Sequence, residues 1–318
     1  MAEEINKKTF KTVTKFRREN NFIYQFGRHP FVFIIGIVIP LILYGIFIGY
    51  PLVSVFTLSF FKWDGISNHM PFVGLQNYIS LVQDPAFIQS LVNNIKWAVL
   101  TIIFPVGLGL LLAAILHSGN IYFSNFFRAI IFLPTTMSLV GVGIMFALIL
   151  NPSFGALNTL FNSSGLGFLA QEWLGNSKLA LYTLIFVFSW GYIGLPMILF
   201  YAGMSGIPVE LYEAASLEGS GAFQNLRFIT IPLLSPVTTM TIMLTVINSL
   251  RAFDLVMVMT GGGPFGQTTV LGYFMYLETF GNYKFGYGAA ISVVILLLSI
   301  VFAAVYIKNV ASEAMHVS

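Results

Sequence analysis

Residues 207–232 read IPVELYEAASLEGSGAFQNLRFITIP, and this stretch decides how the chain folds. Pro208 suits the first turn of a helix, and the carboxylates of Glu210 and Glu213 favour the positive N-terminal end of that helix. Gly219 can adopt the left-handed conformation that ends a helix. The stretch therefore predicts a short helix, a sharp glycine turn and a second short helix that leads into an apolar run.

On both sides of this connector, long apolar runs alternate with short polar segments. Each run is long enough to cross a hydrocarbon core of about 30 Å as a helix. The runs lie at roughly Phe31–Phe60, Ile95–Leu116, Ala129–Leu150, Leu179–Gly203, Ile231–Met259 and Tyr287–Ile307. Pro232 is expected to begin the fifth run. The predicted fold class is an all-α membrane protein with six transmembrane helices.

The composition supports a membrane protein and excludes several classes of enzyme. The 318 residues are 57% apolar and 8% charged, whereas a soluble chain has about 25% charged residues. The absence of cysteine excludes a disulfide scaffold, a thiol nucleophile and any cysteine-bound metal. No Gly-Lys pair of a P-loop, no HExxH and no GxSxG occurs. We therefore expect no catalytic residue and no metal in this chain.

The distribution of basic residues predicts the orientation in the membrane. Ten Lys and Arg residues fall on the side of the termini and three on the other side, so the positive-inside rule makes both termini cytoplasmic. The ten are Lys7, Lys8, Lys11, Lys15, Arg17, Arg18, Arg28, Arg128, Arg227 and Lys308. Because seven of them lie in the first 28 positions, beside an apolar run, they indicate contact with anionic lipid rather than with nucleic acid.

This pattern predicts a single membrane domain with two short flanking segments. A basic cytoplasmic arm at 1–30 precedes a six-helix domain at 31–310, which contains the cytoplasmic loop 206–230. A cytoplasmic tail follows at 311–318.

The connector also carries a family resemblance. The residues Glu213-Ala214-Ala215, then Gly219, Ile229 and Ile231-Pro232, resemble the EAA loop of permease subunits in binding-protein-dependent ABC importers. Ile231 stands where that family usually has Leu, a change that conserves volume. Further along, Thr260-Gly261-Gly262-Gly263-Pro264 and Thr268-Thr269 are similar to the external TxGGP turn of the larger maltose-transporter permease. The resemblance therefore points to the carbohydrate branch and to one half of a heterodimer.

The resemblance implies a type I ABC importer permease fold with a cytoplasmic EAA coupling helix, in the cytoplasmic membrane of a bacterium. It implies three kinds of partner: a second permease subunit, an ABC ATPase dimer and an extracytoplasmic solute-binding protein. The chain itself would bind no cofactor, because the partner ATPase subunits would use the ATP and Mg. The residues that it assigns to ATPase coupling are Glu213, Ala214, Ala215 and Gly219, with apolar contacts expected from Leu211, Tyr212 and Leu217.

A candidate solute path follows from the polar and aromatic residues within the spans. Polar groups inside a membrane are costly and usually face protein or water. By comparison with maltose-type permeases, the residues at a comparable depth are Tyr192, Leu195, Asn248, Ser249 and Ala252. Arg251 and Asp254 are three residues apart and could pair on one helix face. Aromatic residues in spans more often serve packing, so a purely structural role for Tyr192 stays open.

Two other functions remain open at this stage. An ion-coupled secondary transporter would need an ion site in the membrane, and Asp254 is the one carboxylate within the predicted spans. Such transporters commonly carry internal repeats, and none is visible. A membrane scaffold that docks a partner through the connector is the other alternative. The identity of the carbohydrate, of the second permease and of the ATPase does not follow from the sequence.

Overall fold

The computed structural model describes residues 31, 34–118, 121–250 and 252–316. These residues contain helices and loops but no strand, and Phe61 forms one isolated antiparallel bridge with Phe72. Backbone contacts divide the chain into two units, Met1–Thr57 and Leu58–Ser318. The predicted basic arm at 1–30 lies outside the described residues.

The helices are named α1 to α14 in chain order. They are α1 (Ile34–Leu58), α2 (Gln76–Gln83), α3 (Pro85–His117), α4 (Ser124–Thr136), α5 (Leu139–Ile149), α6 (Ala156–Ser163), α7 (Ala180–Tyr192), α8 (Gly194–Ser205), α9 (Val209–Leu217), α10 (Ala222–Leu233), α11 (Ser235–Leu250), α12 (Asp254–Met259), α13 (Leu271–Tyr276) and α14 (Phe285–His316).

Three continuous helices and three bent pairs account for the six predicted spans. The helices α1, α3 and the first twenty residues of α14 are each long and apolar enough to cross a membrane. The pairs α4–α5, α7–α8 and α10–α11 each satisfy the same test together, with bends of 94°, 43° and 73°. Six transmembrane passages therefore require each bent pair to cross once.

Proline residues explain why the three paired spans are broken. Pro134 lies in the last turn of α4, and an extended link at Met137–Ser138 follows it. Pro196 has no N–H to donate to the carbonyl of Tyr192, where α7 ends. Pro236 lies in the first turn of α11, the position that proline tolerates best. The apolar runs continue through all three breaks, so hydropathy alone does not reveal them.

The fifth span differs from its prediction at both ends. Pro232 lies near the end of α10 rather than at a helix start, and the longer helix of the bent pair, α11, begins at Ser235. Helix α11 ends at Leu250, and the predicted run continues into a separate helix, α12, which starts at Asp254. Arg251 lies outside the described residues, and so does its predicted pairing with Asp254.

Glycines allow neighbouring spans to pack closely around α8. A Cβ atom at Gly194 would lie 2.7 Å from the carbonyl oxygen of Ile131 in α4. A Cβ atom at Gly109 in α3 would lie 2.8 Å from Cβ of Pro196. Real Cβ atoms do not approach other atoms so closely, so these two contacts require glycine. Spans two to four thus share one tightly packed core.

Candidate functional site

The two helices α9 and α10, with the turn between them, form what we call the coupling unit, residues 209–233. Helix α9 ends in a Schellman motif, in which the N–H of Ser220 donates to the carbonyl of Ala215 at 3.0 Å and that of Gly219 donates to Ser216 at 3.0 Å. Gly219 has a φ of +84°. The predicted short helix, glycine turn and second helix are confirmed.

Further hydrogen bonds organise α10, and one of them joins it to α9. The side chain of Gln224 accepts the N–H of Gly221 at 2.9 Å at the start of α10. The hydroxyls of Tyr212 and Thr230 lie 3.0 Å apart. Thr230 also donates to the carbonyl of Asn225 at 3.2 Å. A threonine hydroxyl has one proton, and Thr230 uses it in the bond to Asn225. Tyr212 is therefore the donor in the bond between the two hydroxyls.

The predicted coupling residues divide into an exposed group and an inward group. Leu217 is 91% exposed and Leu211 is 43% exposed, and both Glu213 and Ala214 lie on the surface. Tyr212 and Ala215 are partly buried, and the Tyr212 hydroxyl reaches α10. The exposed group therefore presents two leucine side chains beside an alanine. In the inward group, Tyr212 holds the two helices together.

The coupling unit has an acidic surface. Glu210, Glu213 and Glu218 are exposed, and within the described residues none of them forms an ion pair. Arg227 is the basic residue of the unit. Unpaired surface carboxylates favour a partner with basic groups at the matching positions.

The structure brings Tyr192 and Asn248 of the candidate solute path together. Tyr192 is the last residue of α7, where the fourth span breaks, and Asn248 lies in the last turn of α11. The side-chain amide of Asn248 donates to the Tyr192 hydroxyl at 3.4 Å, and Thr245 lies 3.3 Å from the same hydroxyl. Asn248 is exposed, whereas Tyr192 is 9% exposed and its ring stacks on Phe188. This pair presents neutral hydrogen-bonding groups at the broken ends of two spans.

The other three candidate path residues lie in the core or against it. Ser249 has no exposed surface, and its hydroxyl lies 3.1 Å from that of Thr101 in α3. Leu195 and Ala252 are partly buried and pack against the central cluster that contains Leu184 and Val256. In this conformation Ser249 therefore serves packing between spans and does not face a path.

Two buried asparagines in α3 tie other helix ends and a loop together. Asn94 donates to the carbonyl of Ser249 at 2.6 Å and accepts the N–H of Leu271 at 2.7 Å. Asn93 donates to the carbonyls of Gln267 at 2.9 Å and Thr269 at 2.8 Å. The pair thus fixes both the end of α11 and the TxGGP turn. Sequence reasoning did not assign this role, although two adjacent amides at the start of an apolar run were a visible signal.

A cup of about 790 Å³ opens beside the first predicted external loop. Its walls include the side chains of Lys62, Trp63, Asp64, His69, Asp84 and Lys284. The N–H of Gly286 donates to the Trp63 carbonyl at 3.3 Å, so the loop is attached to the start of α14. Backbone N–H groups of Ser67 and Ile66 hydrogen-bond to Asp64 and hold the pKa of its carboxyl below the usual value. The cup lies at the predicted outer face, and its walls combine charged and aromatic side chains.

The described residues contain no cluster of three His, Asp or Glu side chains that could hold a metal ion. The candidate site consists of the coupling unit at one end of the spans and neutral polar groups at two helix breaks.

Broken membrane helices, with an exposed two-helix connector at one end, are typical of an integral membrane protein of the transport class. The chain belongs to the family of binding-protein-dependent transport system inner membrane components, whose model matches residues 105–308. It is a permease, as the EAA resemblance indicated, and the all-helical permease fold is confirmed.

Two relatives and one solved structure illustrate the similarity. The probable ABC transporter permease protein PH1215 of Pyrococcus horikoshii is 39% identical over 276 residues, which cover 86% of this chain and 94% of the relative. The trehalose/maltose transport system permease protein MalF of Thermococcus litoralis is 32% identical over 266 residues, covering 83% and 88%.

The solved structure is a bacterial alginate ABC transporter in complex with an alginate pentasaccharide-bound periplasmic protein. One of its chains matches the fold with a TM-score of 0.76 at 19% identity, covering 90% of this chain and 95% of that chain. The predicted resemblance to carbohydrate-branch permeases, the MalF type included, is confirmed.

Proposed function

We propose that this permease carries a sugar or oligosaccharide across the cytoplasmic membrane of a bacterium as one subunit of an ATP-driven importer. The carbohydrate class is supported by the relative named for trehalose and maltose. The neutral groups of Tyr192 and Asn248 suit hydroxyl-rich solutes, because they pair with hydroxyls without desolvating a charge.

The partners are a second permease subunit, a dimer of ABC ATPase subunits and an external solute-binding protein. ATP and Mg are used by the ATPase subunits, and this chain has no enzymatic role. Both termini and the coupling unit lie on the cytoplasmic side, as the ten-to-three distribution of basic residues favours.

The single observation that carries the proposal is the coupling unit itself. Its exposed acidic and apolar surface lies on a short ordered helix between the fourth and fifth spans. When ATP closes the two ATPase subunits, a helix held in their surface moves with them. The bent spans attached to it then rock, which opens the solute path to alternate sides of the membrane.

An ion-coupled secondary transporter is the alternative. Its carboxylate Asp254 begins α12 and is exposed, rather than enclosed in an ion site. The family match and the coupling unit favour the ATP-driven importer.

The first test is to purify the tagged chain from its native membrane in mild detergent and identify the copurifying proteins by mass spectrometry. A second six-helix permease and a P-loop ATPase are expected, with solute uptake into liposomes that requires ATP. Glu213→Lys should abolish uptake while membrane insertion stays normal, because it reverses a charge on the docking surface. Recovery of the chain alone, with uptake that needs no ATP, would overturn the proposal.

A further inference from the structure

The coupling unit contains one side-chain link between residues far apart in sequence. The Tyr212 hydroxyl reaches from α9 to Thr230 in α10 over 3.0 Å. Thr230 is 5% exposed, and its own proton is used by the carbonyl of Asn225. The Tyr212 donor therefore meets a buried acceptor whose orientation is already fixed.

This link matters because the turn that connects the two helices contains Gly219 and Gly221. Glycine allows more backbone conformations than any other residue, so such a turn can act as a hinge. The local bonds in the turn, such as that from Ser220 to Asn225 at 2.6 Å, hold the start of α10. They do not fix the body of α9 against the far end of α10.

The far end of α10 leads directly to the packed core. Leu234 follows α10 and is 1% exposed, in a cluster with Phe200 and Met204 of α8. A Cβ atom at Gly203 would lie 2.7 Å from a Leu234 methyl group. A displacement of α10 would therefore be transmitted to the fourth and fifth spans together.

We propose that Tyr212 is a positioning residue that makes the coupling unit a single rigid body. Its hydrogen bond to Thr230 prevents bending at Gly219, so that motion imposed on α9 reaches α10 and the spans. The inference rests on the proposed function for the source of the motion. The rigidity itself does not depend on it.

The rigidity is tested by spin labelling, which the absence of native cysteine makes simple. Labels at Glu210→Cys and Arg227→Cys occupy exposed positions on the two helices. In the full chain in nanodiscs, pulsed electron paramagnetic resonance should give one narrow distance distribution. Tyr212→Phe and Thr230→Val should each broaden this distribution about twofold or more. Thr230→Ser keeps the hydroxyl, so its distribution should stay as narrow as that of the wild type.

Matched controls remove a hydroxyl elsewhere. Tyr122→Phe changes a tyrosine that is 89% exposed, and Thr239→Val removes a threonine bond to the backbone of its own helix. Both should leave the distribution unchanged. A distribution that stays narrow in Tyr212→Phe would overturn the rigid-body proposal.

Transmission is tested in the reconstituted importer by measuring solute taken up per ATP hydrolysed. One lost hydrogen bond should lower this ratio about fivefold in Tyr212→Phe, when uptake is divided by the ATP that the same preparation hydrolyses. The double variant with Thr230→Val should give a ratio no lower than the single variants, since both substitutions remove the same link.

An unchanged ratio despite a broadened distance distribution would refute the transmission role. If the wild type shows no ATP-driven uptake, the proposed function fails, and the labelling experiment still decides the rigidity.

Discussion

At the scale of single residues, the glycines of this chain serve two separate purposes. Gly219 has a positive φ and open space around it, so its role is conformational. Gly194 has an ordinary backbone conformation but no room for a side chain, so its role is close packing. The sequence predicted the first purpose from the position of Gly219 after a short helix. The second depends on which helices become neighbours, and local sequence does not contain that information.

Gly194→Ala should destabilise the chain by about 1–3 kcal/mol, because the new methyl group meets backbone atoms of Ile131 and Phe132. Thermal unfolding of the purified protein in detergent measures the loss. Gly141→Ala is the matched control, since a Cβ atom there meets nothing within 4 Å. Equal melting temperatures for the two variants would contradict the packing role.

Gly219→Val should impair coupling more than Gly219→Asn, because asparagine tolerates the left-handed conformation and a β-branched residue does not. The reason is the φ of +84° that the Schellman motif requires. Uptake per ATP in the reconstituted importer is the measurement. Similar values for both variants would show that the turn does not need this conformation.

At the scale of helices, hydropathy predicted the number of spans. It did not predict the breaks within the three bent pairs. Apolar runs of about 20 residues predict spans wherever they occur. The bends at Pro134 and Pro236 lie inside such runs, where proline is equally compatible with a kink or a helix start. The end of the fifth span at Leu250 coincides with a side-chain contact from Asn94, a residue more than 150 positions away in sequence. Such a contact becomes visible only when the spans are assembled.

Asn94→Leu should destabilise the chain by about 2 kcal/mol or more, because it leaves two buried backbone groups unpaired. These are the carbonyl of Ser249 and the N–H of Leu271. Thermal unfolding, with the exposed Asn162→Leu as control, measures the effect. A variant as stable as the control would show that these two groups find other partners.

At the scale of the whole molecule, coupling and solute recognition occupy separate elements. The coupling unit covers residues 209–233, whereas Tyr192 and Asn248 meet where α7 and α11 end. The motif on the connector was specific enough to predict the coupling unit from sequence. The candidate path residues were predicted from their depth along the helices. Depth does not determine which way a side chain faces, and the Ser249 side chain is buried in the core.

Asn248→Leu should change which solutes are transported and leave ATPase docking intact, since it removes an exposed amide in the last turn of α11, at the opposite end of that helix from the coupling unit. Uptake of a panel of mono-, di- and oligosaccharides, with copurification of the ATPase as control, checks this. An unchanged transport profile would remove Asn248 from the solute path.

The length of the apolar part of α3 sets the bilayer thickness that suits this protein. The helix has 33 residues and is about 50 Å long, while its apolar part, Ile95–Leu116, measures about 33 Å. The remaining turns, Pro85–Asn94, project about 15 Å further and carry the two asparagines that hold the ends of other helices. In lipids with longer acyl chains these amides would be drawn toward the hydrocarbon. We therefore expect hydrophobic mismatch to shift uptake, with an optimum in bilayers whose core is close to 33 Å.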